Sequence, residues 1–146
     1  MAVITPANWN SVNPTTGIQM SHIFRTVELT AAQVVQNNFV KLAKLPAGYR
    51  IVDLILETDD LDTNGTPTST VSVGVLKADG SAFETGMTMI TTSKIPQTGG
   101  LARIDTKSLE TIGASTSERT VALKFVAAVA TAAAGGVTIS MTIAPE

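Results

Sequence analysis

The sequence predicts an all-β fold: a single-domain β-sandwich or jelly roll carrying an extended N-terminal arm. Three observations point there. Apolar residues alternate with Thr, Ser and Gly in several short runs, as in Val71, Val73 and Val75 or Val137, Ile139, Met141 and Ile143. Turn signals separate those runs roughly every 8–12 residues, giving roughly seven to nine strands. No long stretch carries an amphipathic helical period.

Residues 1–20 have no sustained period and contain Pro6, Pro14 and Gly17, so they read as an extended arm before a domain at 21–146. Ile4, Trp9 and Ile18 are the apolar anchors of that arm. It either packs on its own domain or reaches a neighbouring subunit. The second reading is favoured, with Trp9 as the partner-binding anchor.

From His22 the pattern turns to strand. Ile23, Arg25, Val27 and Leu29 alternate with His22, Phe24, Thr26 and Glu28. The segment 31–36 fits either a short helix capped by Thr30 or a second strand. Residues 39–43 then run into Pro46-Ala47-Gly48, a tight turn set by proline and glycine. A buried strand is expected from Tyr49 to Thr58, with Val52, Leu54 and Leu56 on one face and Ile51 and Ile55 on the other. A polar turn follows at 59–65, then an alternating strand from Thr68 to Lys77 with Ser72 and Gly74 outward. Ala78-Asp79-Gly80 closes it with an Asp-Gly hairpin signal. Residues 87–91 fit a strand or one helical turn, 101–106 a short strand, and 107–118 a long polar connection. The end of the chain reads as a β-hairpin: Val121, Leu123, Phe125, Ala127 and Val129 on one strand, Val137 to Ile143 on the other, with Pro145 ending the pairing.

Composition narrows function. Ten basic residues against twelve acidic ones give a net charge of −2, with one Trp and one Tyr. Nucleic-acid binding draws its affinity from a basic patch, so no direct nucleic-acid partner is expected. No run reaches the roughly 20 apolar residues of a membrane span, and none is expected to enter a membrane. Charged residues make up 15% of the chain, below the typical quarter. Thr and Ser supply roughly a fifth of it. A hydroxyl- and methyl-rich, charge-poor surface suits lasting contacts, although threonine on solvent faces of an ordinary β protein explains the same numbers.

Chemistry finds little footing. There are no cysteines and one histidine, His22, so any Ser/His/Asp arrangement depends on it, and no G-x-S-x-G elbow presents a serine. Gly99-Gly100 and Gly135-Gly136 match neither phosphate-binding pattern. No catalytic residue and no cofactor are expected. Asp60-x-Asp62-x-Asn64-Gly65 copies the first half of a calcium loop, and Asp60, Asp62 and Asn64 are the metal candidates. The position of the bidentate Glu holds Val71, and strands flank the loop, so a plain connection is the favoured reading.

Three segments carry a resemblance. These are Lys44-Leu45-Pro46-Ala47-Gly48-Tyr49-Arg50-Ile51-Val52-Asp53, the Asp-rich turn with Thr68 to Val75, and the Ala/Thr/Gly-rich turn before Val137 to Ile143. Together they resemble the capsid decoration, or cement, proteins of tailed bacteriophages. The resemblance implies a non-enzymatic sandwich or jelly-roll module on the outer capsid surface of the virion. It would bind the major capsid protein, as a dimer or trimer, and assemble in the host cytoplasm. Other virion parts (tail, fibre or head–tail joining proteins) and a receptor- or carbohydrate-binding β module are the alternatives. Aromatic residues at 4% disfavour the last.

Overall fold

The computed structural model describes residues 1–6, 9 and 20–146. Two sheets pack face to face. Among the described residues the strands are β1 (Val3–Ile4), β2 (Ser21–Leu29), β3 (Phe39–Leu45), β4 (Tyr49–Thr58), β5 (Val71–Leu76), β6 (Phe83–Ser93), β7 (Gly100–Arg103), β8 (Arg119–Phe125) and β9 (Gly135–Pro145). One sheet has the order β1-β3-β8-β5-β6 and the other β2-β9-β4-β7. Every pairing is antiparallel except β1 with β3. This is the expected β-sandwich.

The inward faces are those the alternation marks. Val71, Val73, Val121, Leu123 and Phe125 from one sheet meet Leu54, Leu56, Val137, Ile139 and Met141 from the other, all fully buried. Removing such side chains from water, at about 25 cal/mol per Å² of apolar area, is the main force holding the sheets together.

Two bulges shift the phase. In β4 the register slips between Ile51 and Asp53, so Val52 is the extra residue. Ile51 and Leu54 therefore share the buried face, Val52 is only half-buried, and the expected grouping of Val52 with Leu54 and Leu56 is corrected. In β3 the slip between Lys41 and Ala43 lets Leu42 and Ala43 both be buried.

The C-terminal hairpin is also corrected. β8 lies between β3 and β5, whereas β9 lies between β2 and β4 in the other sheet. Residues 126–134 cross the sandwich, and Ala127 and Val129 belong to that crossing. Facing strands across a core need the same inward alternation as paired strands, so the pattern did not separate the two cases.

β5 is shorter than expected and buried along its whole length. Ser72 and Gly74 do point outward, but the outer side is covered. Phe83 packs there with Phe39, Leu76 and Ala122 as a second small core, its ring edge-on to Phe39 at 5.4 Å. A Cβ at Gly74 would stand 2.9 Å from both the Met87 carbonyl oxygen and Phe83 Cγ. Glycine is required there by contact. Lys77 N–H donates to the Ala82 carbonyl at 2.9 Å, and Gly80 takes a φ of 72°, closing the β5–β6 hairpin.

Two short helical pieces settle the open expectations. Ala31–Gln33 is one turn of 3-10 helix, with Thr30 N–H donating to Gln33 Oε1 at 2.9 Å. Within the expected polar connection, α1 (Thr106–Thr111) is capped by Asp105, which accepts from Ser108 N–H at 2.7 Å.

Candidate interaction site

Val3 and Ile4 of the arm add a short parallel strand to the edge of β3, opposite Phe39 and Val40. Ala2 N–H donates to Asn38 Oδ1 at 3.0 Å, and Phe39 N–H donates to the Ala2 carbonyl at 2.9 Å. Ile4 packs against the main core. Trp9 lies beside three cations: the Arg25 guanidinium at 5.2 Å, Lys44 Nζ at 5.4 Å and Lys41 Nζ at 5.8 Å from the ring centre. Each contact contributes about 0.5–1 kcal/mol at a partly exposed site. Arg25 comes from β2 and both lysines from β3, so the indole spans the gap between the two sheets. Within the chain, Ile4 and Trp9 thus contact their own domain. Ile18 lies outside the described residues.

The Asp-rich loop has an architecture the sequence did not reveal. Asp62 is fully buried. Its Oδ1 accepts Thr131 N–H at 2.8 Å, and its Oδ2 accepts Thr68, Ser69 and Ala130 N–H at 2.9, 3.0 and 3.2 Å. Burial alone would raise its pKa. The four backbone donors, led by Thr131, outweigh that and hold it at about 2. The carboxylate therefore staples the loop after β4 to the crossing after β8. Asp60 Oδ1 accepts Asp62 N–H at 3.2 Å. Asn64 Oδ1 accepts Thr66 N–H at 2.9 Å while its Nδ2 donates to Thr131 Oγ1 at 2.8 Å. The side-chain oxygens of the three metal candidates thus accept backbone N–H groups, from the loop itself and, for Asp62, also from the crossing after β8. Among the described residues no cluster of three or more His, Asp or Glu is placed to hold a metal ion.

His22 stands on the outer face of β2. Its Nδ1 is 3.2 Å from Thr142 Oγ1 and its Nε2 3.2 Å from Ser140 Oγ, both on β9. The Ser140–His22 pair has the spacing of nucleophile and base. A neutral threonine hydroxyl occupies the place of an orienting carboxylate, and the pair lies on an open sheet face.

A concavity of about 750 Å³ opens between the β5–β6 turn and the segment after α1, bordered by Lys77, Asp79, Glu84, Ser115 and Arg119. Arg119 Nη2 donates to the Tyr49 carbonyl at 3.1 Å. Burial lowers the guanidinium pKa, and the charge of Glu146 opposes that. The groove's mixed charge favours no one ligand sign.

No protein-family model matches the chain, and no curated protein matches it in sequence. Solved structures do. A chain in the capsid of Ralstonia phage GP4 superposes with a TM-score of 0.83 at 23% identity, covering 99% of this chain and 98% of that one. A chain in the capsid asymmetric unit of cyanophage Pam1 gives a TM-score of 0.71 at 23% identity, covering 96% and 94%. At this identity the likeness establishes a shared fold, one sandwich matched from end to end.

Proposed function

We propose that this chain is a structural virion protein that decorates the outer surface of a tailed phage head and cements neighbouring major capsid protein subunits. The observation that carries the reading is the two-way, nearly complete match to a chain of a phage capsid. The match covers 98% of that chain, so the two are of about the same length. The resemblance in the residues of the 44–53 and 68–75 segments points the same way. Physically, a clasp that binds the assembled lattice but not loose subunits stabilises the shell by mass action. Many modest contacts suffice where copies engage a repeating surface, and self-association into a dimer or trimer would add avidity.

The test uses heads of the phage that encodes the chain. Tailless heads should contain it by mass spectrometry, and electron cryo-microscopy should place it outside the shell. Shells lacking it should break at lower temperature and recover when the purified chain is restored. Finding it only in tails would overturn the head assignment, and finding it in no particle would overturn the virion role.

A further inference from the structure

The loop after β4 carries the one Asn-Gly pair of the sequence, Asn64-Gly65. Asparagine followed by glycine is the pair most open to ring closure, because glycine has no Cβ to keep its nitrogen away from the preceding amide. The structure leaves that route clear. Thr63, Asn64, Gly65 and Thr66 are all exposed. A Cβ at Gly65 would meet nothing within 4 Å, so that side of the residue faces open space. Among the described residues no acceptor receives the Gly65 N–H.

The amide is held in a reactive frame. Thr66 N–H donates to Asn64 Oδ1 at 2.9 Å, the oxygen on which negative charge develops when a nucleophile adds to Cγ. Asn64 Nδ2, the nitrogen that must leave, donates to Thr131 Oγ1 at 2.8 Å. A hydroxyl rotates between accepting and donating, so the same oxygen can return a proton to that nitrogen as its bond breaks. Asp60 and Asp62 in the same loop oppose ionisation of the Gly65 N–H, an effect that salt screens.

We propose that Asn64-Gly65 is a self-modifying site whose conversion loosens the Asp62 staple. The Gly65 nitrogen attacks Asn64 Cγ and gives up its proton, the Cγ–Nδ2 bond breaks, and ammonia leaves behind a five-membered succinimide. Water then opens the ring. Attack at Cγ yields aspartate, and attack at the main-chain carbonyl yields isoaspartate, in which the backbone runs through the former side chain. Either product puts a new carboxylate near Asp60 and Asp62, neither of which is paired with a cation among the described residues. Either also loses the donor to Thr131 Oγ1. Isoaspartate further adds one backbone carbon inside the ring that Asp62 Oδ2 closes by accepting Thr68 N–H at 2.9 Å. That shifts Thr68, and Ser69 at 3.0 Å, against the carboxylate they bind. The inference concerns the chemistry of this loop and stands whatever surface the chain binds.

The experiment ages the purified full chain beside Gly65→Ala, at mildly alkaline pH and body temperature. Peptide mass spectrometry follows the amide, and electron-based fragmentation separates isoaspartate from aspartate. Asn64 should turn to acid, mostly isoaspartate, while Asn37 and Asn38 keep their amides. Gly65→Ala places its Cβ in open space, so it should unfold in urea like the fresh wild type, yet lose the Asn64 amide about tenfold more slowly. Aged wild type should unfold at lower urea than fresh, whereas aged Gly65→Ala should keep its midpoint. Asn64→Asp adds the charge without the extra backbone carbon and should fall between fresh and aged wild type. An Asn64 amide that lasts as long as those of Asn37 and Asn38 would overturn the site. Equal loss in Gly65→Ala would overturn the cyclic route. An isoaspartyl chain with an unchanged midpoint would overturn the link to the staple.

Discussion

Replacing Asp62 by alanine should lower stability by about 3–4 kcal/mol, a large share of the roughly 5–15 kcal/mol typical of a domain. The carboxylate accepts four backbone N–H groups, from Thr68, Ser69, Ala130 and Thr131. Ser69 is fully buried, so its donor would be stranded at about 1–3 kcal/mol. Thr68, Ala130 and Thr131 belong to exposed residues, and water replaces part of what they lose, about 0.5–1 kcal/mol each. The acid limb supplies a second readout. Because the folded carboxyl sits at about 2, below its unfolded value, its contribution is present above about pH 4 and lost as pH falls toward 2. That part amounts to about 1–2 kcal/mol after solvent screening by the neighbouring exposed loop. Asp79 and Asp105 are also held below the usual carboxylate range, by hydrogen bonds from Ser81 and Ser108, and titrate equally in both proteins. Urea unfolding at pH 7 and pH 3 measures the difference. A loss under about 1 kcal/mol, or an unchanged acid limb in Asp62→Ala, would refute the staple.

Gly74→Ala should cost about 1–3 kcal/mol by driving a Cβ into Phe83 and the Met87 carbonyl, read as a lower urea midpoint with unchanged slope. Val73→Asp should abolish cooperative unfolding, since it puts a carboxylate in the fully buried face of β5; a folded, soluble variant would contradict the inward assignment. Deleting residues 2–9 should destabilise the isolated domain measurably, because Val3 and Ile4 cover the edge of β3 and Ile4 joins the core. Thermal unfolding identical to the full chain would return these residues to the status of a free arm.

The sandwich was legible because burial on one face forces a period of two, and Val71–Val75, Val121–Phe125 and Val137–Ile143 show it without interruption. Partner choice was not. A strand facing another across the core presents the same alternation as a strand beside it, which is why β8 and β9 read as a hairpin. β6 was legible only in part, residues 87–91 fitting a strand or a helical turn, because an edge strand with exposed Glu84, Thr85 and Gly86 and broken register against β5 has no clean period. α1 is too short to show a helical stripe, and its signal is the single pair Asp105 and Ser108. The role of Asp62 was hidden for another reason. One of its donors, Thr131, lies 69 residues further along the chain, so only the fold brings acceptor and donor together.

The placement of β9 bears on how the molecule is made. β9 leaves the ribosome after β2 and β4, the two strands that both need it, so that sheet stays without an internal member until residues 135–145 are synthesised. Nascent chains must therefore carry unmatched apolar ribbons for most of translation, a state prone to aggregation and slow to resolve where pairings are so distant in sequence. Shortening the chain by this one ribbon should leave no partially functional remnant, only material for chaperones and proteases.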